Sequence, residues 1–398
     1  MPSSKWKTYE ELNKILKDRE FVFWGATNWI ERTLEDLKPT PAFIIDKSKL
    51  NQGIEYNKFM VNSPKKLKSL DNPFVIISTA NYISVIDDLE ELGYVVGEDY
   101  CCTPLLNERK NKDDLLNHKQ SLLISSPQHF SDKNYGGGLY QVSLNPYKIT
   151  KVYIGKTRGI SKYNDKYYVI DMLKGIVVLD KNYKEIDIIE LEKNSEPHGI
   201  FVDKHNKLIY VGSPGRDSIA VYSINTKKMV NEYFISDKWG VNKKDNHHVN
   251  DPFVFGNSLY ISMFSFSGNW MNEVYDGGIM EIDLNSGKVL GPVFSNKWMP
   301  HSVTRVNGKL TFLNSMMGEL YHASYGMICK TSGFARGLAH DGKYFYIGTT
   351  EHRYPEKLKN ISNNISLDTG FYVFDENSSL TKFYDMPMIE AIHSIVVI

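Results

Sequence analysis

The sequence predicts a small α/β domain with a parallel sheet followed by an all-β, six-bladed propeller, and three observations carry that prediction. Short apolar strands alternate with helical stretches over roughly the first hundred residues. Beyond Lys119, short strands rich in Ile, Val and Tyr follow one another with only turn signals such as "NDK", "KHNK", "NSG" and "DGK" between them. Within that second region a unit recurs, and each copy opens on a His or an Arg.

The first elements read in order. "MPSSKWKTYEELNKILKD" has the periodicity of an amphipathic helix and lacks the basic-then-apolar order of a signal peptide. "EFVFWGATNWIERTLEDL" is a short strand, a Gly turn and a helix. "PAFIIDKS" is a second strand ending in Asp46, and "FVIISTANYISVIDDLEELGY" is a third strand with its helix. Such alternation argues for a parallel, doubly wound sheet. The segment resembles the small Rossmann-like domains attached to bacterial sugar-modifying and surface-glycan enzymes. A dinucleotide there would place phosphate on the helix after Gly25 and a ribose beside Asp46, about twenty residues further on. "GATNWI" supplies only the first glycine of G-x-G-x-x-G, and Asn28 and Trp29 add bulk where phosphate must approach. The residues therefore favour a structural or oligomerising domain over a nucleotide site. The charged run "NERKNKDDLLNHK" reads as a linker, giving domains at 1–104 and 119–398 joined by 105–118.

Composition narrows the function classes. Lys+Arg and Asp+Glu both number 47, so no basic excess points to nucleic acid or an anionic membrane. No apolar run is long enough to span a bilayer. Three Cys, with Cys101 and Cys102 adjacent, imply no disulfide framework. A Cys-poor chain without a signal is expected to be cytoplasmic, its thiols buried packing residues.

In the second region each unit has a small polar or Pro approach, then His or Arg, then a short apolar strand, a turn, and further strands. The opening strands are "TRGISKY" at Arg158, "PHGIFVD" at His198 and "HVNDPFV" at His248, then "PHSVTRV" at His301, "ARGLAHD" at Arg336 and "IHSIVVI" at His393. A period of roughly 35 to 57 residues suits four-stranded blades with variable loops. The last run ends the chain without three strands of its own, whereas "SLLISSP", "GGLYQVSL" and "ITKVYIG" lack an inner strand. The C-terminal strand is therefore expected to complete the first blade, closing the ring and leaving no free edge there. Inner strands line a propeller's axis, so the four His and two Arg are expected to meet around it.

Four segments, "HHVNDP", "MPHSVTRVNGKLTFLNSMMGELY", "GFARGLAHDGKYFYIGTTEHR" and "TGFYVFD", resemble a bacterial β-propeller family defined as a domain of unknown function. That family's Ser-Gly-x-Gly-Glu-Leu reads "SMMGEL" here, so the turn at Met316 is expected to differ. The resemblance implies the fold and brings no activity with it.

Converging imidazoles suit a divalent transition metal, so His198, His248, His301 and His393 are the candidate ligands for Zn, Fe or Mn. The arrangement resembles the His-lined axes of propeller lyases and of four-His iron oxygenases. Arg158 and Arg336 are candidates to hold a carboxylate or phosphate by paired hydrogen bonds. Asp251 and Glu351 are candidate acid–base groups, and Asp245, His247 and Asn250 are candidates to orient a ligand His or act as base. Asp171, Ser213, Asn314, Ser315, His352 and Arg353 are expected at the channel mouth, with "MFSFSGNW" near Trp270 as a wall or lid. His118, His129, His205 and His322 fall off register and read as solvated. Three functions follow: a metal-dependent lyase or hydrolase acting on a small anionic or sugar-derived metabolite; a metal-free binding or scaffold protein in a surface-glycan pathway; and a four-His non-haem iron oxidoreductase. No nucleophile elbow, Walker loop, H-E-x-x-H or C-x-x-C is present.

Overall fold

The apolar runs of the N-terminal region become strands buried on both faces, as Phe21–Trp24 and Phe74–Ile77 illustrate. The structure, a computed structural model, describes residues 4–352, 354–359, 361 and 365–398. It divides into Met1–Asp114 and Leu115–Ile398. The first unit holds one six-stranded sheet, in the order Glu55–Tyr56, Phe59–Asn62, Phe43–Ile45, Phe21–Trp24, Phe74–Ile77, Tyr100–Cys102. Only the outermost pair runs antiparallel, so the sheet is mixed and mainly parallel. Apolar clusters fill both faces; Cys101 belongs to one and Cys102 to the other. Both thiols are fully buried, and burial pushes that of Cys102 up to about 12, so they pack and do not react. Helix Tyr9–Ile15 begins at a capping box made by Thr8 and Glu11.

The charged stretch read as a linker carries structure: a 3-10 turn at Pro104–Arg109 and a helix at Lys110–Leu116. Its two apolar anchors explain this, because Leu106 and Leu115 are both buried. Charge dominates the composition there, but spaced leucines decide the conformation.

The second unit is a six-bladed β-propeller of four-stranded sheets. Blades 2 to 6 open on the inner strands Thr157–Tyr163, Ile200–Asp203, Val249–Phe255, Pro300–Val306 and Phe334–His340. In blade 1 the inner strand is the C-terminal Ser394–Val397, which pairs antiparallel with Ser121–Ser131 from Ser394↔Ser125 to Val397↔Leu122. Every pair of neighbouring blades shares an apolar cluster, blades 6 and 1 included. Alternation along the strands builds these clusters: Tyr168 and Ile170 of blade 2 meet Ile209 and Val211 of blade 3. At "SMMGEL" the chain makes a 3-10 turn, Ser315–Met317, that ends on Gly318 at φ 66° and buries Met316 completely. No helix among the described residues is long and apolar enough to cross a membrane.

Candidate functional site

The inner strands are irregular at the same place. Register shifts interrupt the pairing of the first two strands between Thr157 and Ile160, Val249 and Pro252, His301 and Thr304, and Ala335 and Leu338. A bulge twists a strand and re-aims a side chain. Here it falls beside the His or Arg of blades 2, 4, 5 and 6. Left-handed backbone accompanies it at His248 (φ 49°), Ser302 (φ 58°) and Gly337 (φ 82°).

At five of the six positions the residue after the polar group is Gly or Ser, and adjacent inner strands touch there. Gly159 donates its amide to the His198 carbonyl at 3.1 Å, and Gly199 to the Asn250 carbonyl at 3.2 Å. Ser302 donates its amide to Asp251 Oδ2 at 2.6 Å, and the Gly337 amide reaches Ser302 Oγ at 3.1 Å. A Cβ on Gly199 would lie 2.6 Å from Asp251 Cα. These bonds make a waist around the axis, tying blades 2 through 6 together.

The waist separates two cavities. The first, of about 920 Å³, lies at the starts of the inner strands and is lined by Arg158, His198, His248, His301 and Arg336. Phe264, Trp270 and Phe334 form its apolar wall, and Lys156, His129 and Glu351 lie at its margin. The second, of about 1280 Å³, is lined by the later halves of the same strands and takes in Asp251, Ser302 and His393. Five of the six repeat positions thus meet in one cavity. His393 leaves on the opposite side of the waist, although its ring centre is only 5.9 Å from that of His198.

Each imidazole has a distinct setting. Arg158 Nη1 donates to the Pro197 carbonyl at 2.8 Å and lies 3.1 Å from His198 Nε2. The same Nη1 is 2.7 Å from His198 Nδ1, which also lies 2.8 Å from the Glu196 carbonyl. Burial first, then Arg158, then His248 hold the His198 pKa well below the ordinary imidazole value. The His301 ring stands edge-on to Phe264 and Phe334, with Nδ1 2.7 Å from Ser315 Oγ. His248 lies between Phe264 and Trp270, at centroid distances of 4.3 and 4.5 Å. Its Nδ1 donates to Asp245 Oδ2 at 2.5 Å, while Asp245 Oδ1 accepts the His248 amide at 2.9 Å. Trp270 Nε1 in turn donates to the Asp245 carbonyl at 2.9 Å. Asp251 has a pKa raised chiefly by burial, against the amide of Ser302 and the charge of Arg336.

The expected metal ligands do not form a ligand set. Among the described residues no group of three or more His, Cys, Asp or Glu is arranged to hold a metal ion. The reasons are local: Arg158 occupies the face of His198, Phe264 stands between His248 and His301, and His393 opens to the other cavity. Asp251 lines that other cavity too, while Glu351 is an exposed margin residue. Of the expected mouth residues, Ser315 supports His301, whereas Asp171 accepts from Tyr153 and Leu173, and Asn314 holds Trp298 and Glu319. Ser213 is buried in blade 3. His352 lines the first cavity with both nitrogens engaged, one by the Met316 carbonyl and one by the Tyr354 amide. Arg353 lies outside the described residues. His247 is a core residue bound to Ser236 and Ser265. His322 is buried, not solvated, because it shares a face with Leu320 in a four-residue strand. His118 likewise contacts Tyr346 and Asp341.

In the first unit, Asp46 serves its own loop. Its carboxylate accepts from the amides of Ala26 (2.9 Å) and Ser48 (2.8 Å) and from Asn51 Nδ2 (3.0 Å). The Ala26 amide, which a phosphate would need, is thereby taken. Gly25 (φ 112°) is required because a Cβ there would stand 2.8 Å from that of Thr79.

The fold and site define a six-bladed propeller with a His/Arg cavity at one end of its axis. The chain belongs to the family described as a domain of unknown function, DUF4915, whose model matches residues 198–398. No match was found among curated protein sequences. Among solved structures, a propeller in the nidogen/laminin complex is 12% identical over 70% of this chain and 98% of that one, with a TM-score of 0.50. A protein provisionally named a gluconolactonase is 11% identical over 71% and 87%, TM-score 0.45. An inactive variant of virginiamycin B lyase from Staphylococcus aureus is 16% identical over 58% and 78%, TM-score 0.38. At these identities the likeness concerns the fold.

Proposed function

We propose that the first cavity recognises a small, sugar-derived carboxylate or phosphate, and that it does so without a metal. The observation behind this reading is the placement of Arg158 and Arg336 on one cavity with neutral His198 between them electrostatically. Two guanidiniums favour an anion and repel a dication, and the guanidinium fork matches carboxylate and phosphate oxygens. A volume of about 920 Å³ is that of a small-molecule site. Trp270 and Phe264 offer an apolar face to the carbon skeleton of such a ligand.

The test is titration calorimetry of the whole protein with inorganic phosphate and with D-glucuronate, before and after EDTA treatment. The expected result is saturable binding that EDTA leaves unchanged and that Arg336→Gln weakens by about 10- to 100-fold. Binding that disappears with EDTA and returns on adding Zn, Fe or Mn would overturn the reading in favour of a metal-dependent site. Absence of binding by both probes would overturn the anion assignment itself.

A further inference from the structure

We infer that His248, oriented by Asp245, is a general base facing the first cavity, where it removes a proton from the carbon next to a bound carboxylate. The inference rests on the anion-site reading above and adds a reaction to it.

Three structural features converge on this residue. Asp245 grips His248 twice, through Nδ1 at 2.5 Å and through the backbone amide at 2.9 Å, which fixes the ring's orientation and its tautomer. With Nδ1–H given to a carboxylate, the neutral ring carries its lone pair on Nε2. The Asp245 loop is itself pinned by Trp270 Nε1, so the pair is preorganised. His248 also holds left-handed backbone at φ 49°, a conformation that costs a non-glycine residue energy and is maintained by these contacts.

Accessibility separates His248 from its neighbours. His248 is partly exposed, whereas His198, His301 and His393 are buried. The anion-binding side is close, since the His198 ring that contacts Arg158 is centred 4.9 Å from the ring of His248. Arg158, Arg336 and His248 line the same cavity, which is the juxtaposition the inference uses.

The step balances simply. The Nε2 lone pair takes the α-proton, and the C–H bonding pair moves into the carbon–carboxylate bond. Negative charge accumulates on the carboxylate oxygens, which Arg158 and Arg336 face, while Asp245 stabilises the imidazolium. No oxidant or further reactant is needed, and the proton can return to the same carbon or the carbanion can expel a neighbouring group. Asp245 is a positioning residue, because it acts through His248.

The experiment uses diethyl pyrocarbonate, which acylates neutral imidazole nitrogen, on the intact protein, with rates for each histidine read by mass spectrometry from pH 5 to 8. The groups facing His248 are Asp245 from its own segment and His198 from blade 3, with Arg158 behind His198. His248 is expected to react faster than His198, His301 and His393, and inorganic phosphate to slow it. Asp245→Asn should slow the acylation of His248 relative to the other histidines, and Asp245→Glu should restore part of the rate. An unchanged rate in Asp245→Asn, or a His248 no faster than His198, would overturn the assignment. A second measurement needs no variant: long-range ¹H–¹⁵N correlation must show the Nδ1–H tautomer for His248, and the opposite tautomer would also overturn it. Failure of the phosphate and glucuronate titrations with these signatures intact would instead remove the anion reading and leave the oriented base.

Discussion

Gly212→Ala puts the whole geometry at risk through one carbon atom. Gly212 lies in the second strand of blade 3, Leu208–Ser213. A Cβ added there would stand 1.8 Å from the Asn250 carbonyl oxygen and 2.9 Å from its carbon. Both atoms are backbone, so no side chain can swing aside, and blade 4 must retreat by about 1.6 Å before contact becomes ordinary. That same carbonyl accepts the Gly199 amide, and Gly212 itself accepts from the His198 amide at 2.9 Å and donates to the Gly199 carbonyl at 3.0 Å. Overpacking of this kind costs about 1–3 kcal/mol, and a buried amide that loses its acceptor about 1–3 kcal/mol more. The expected loss is therefore about 2–6 kcal/mol, or about 10 °C in Tm at the middle of that range for a unit of this size. Urea denaturation of the full chain measures it. Gly240→Ala is the control, because nothing lies within 4 Å of its Cβ and it sits in the short helix Lys238–Asn242. Alanine there should be neutral or slightly stabilising. A Gly212→Ala protein within about 0.5 kcal/mol of wild type, binding phosphate normally, would refute the claim that blades 3 and 4 meet backbone to backbone at this point.

Two further outcomes follow from the same structure. His198 is held neutral in the folded state, whereas the unfolded chain takes up a proton below 6.5; its contribution to stability is thus complete above that value and lost as pH falls towards the folded pKa. The urea midpoint should drop between pH 7.5 and 5.5, and His198→Asn should shrink the drop; an equal drop in the variant would show that another group is responsible. In the first unit, Asp46→Ala should cost about 1–3 kcal/mol through the lost bonds to Ala26, Ser48 and Asn51, while millimolar NAD leaves the wild-type melting temperature unchanged. A clear rise in melting temperature with NAD would reinstate the nucleotide site at Gly25.

The propeller was legible because its repeat is marked by chemistry as well as by hydrophobicity. His or Arg followed by Gly or Ser occurs at 158, 198, 301, 336 and 393, and the second residue of each pair lies where a neighbouring strand approaches. What the spacing does not convey is the side of the waist on which each polar group emerges. His393 lines one cavity and the other five repeat residues line the other, although their strands are equivalent. Phe264, in the second-strand turn of blade 4, packs against both His248 and His301, a contact the repeat alone does not convey. Asp245 was legible as a residue to orient a His, and it bonds His248 three residues on.

The same small residues that admit the neighbouring backbone also set the electrostatics of the site. Gly159 and Gly199 bring blades 2, 3 and 4 close enough for Arg158 to contact His198 and for His198 to approach His248. Burial in this narrow place drives His198 neutral, and a neutral His198 adds no third positive charge beside the two arginines. Arg158 and Arg336 therefore keep their charge on this cavity beside an uncharged His198. Packing at the waist and division of labour among the polar residues are consequently one constraint. A substitution that loosens the waist without touching any polar side chain should blur the distinction between His198 and His248 before it unfolds the propeller.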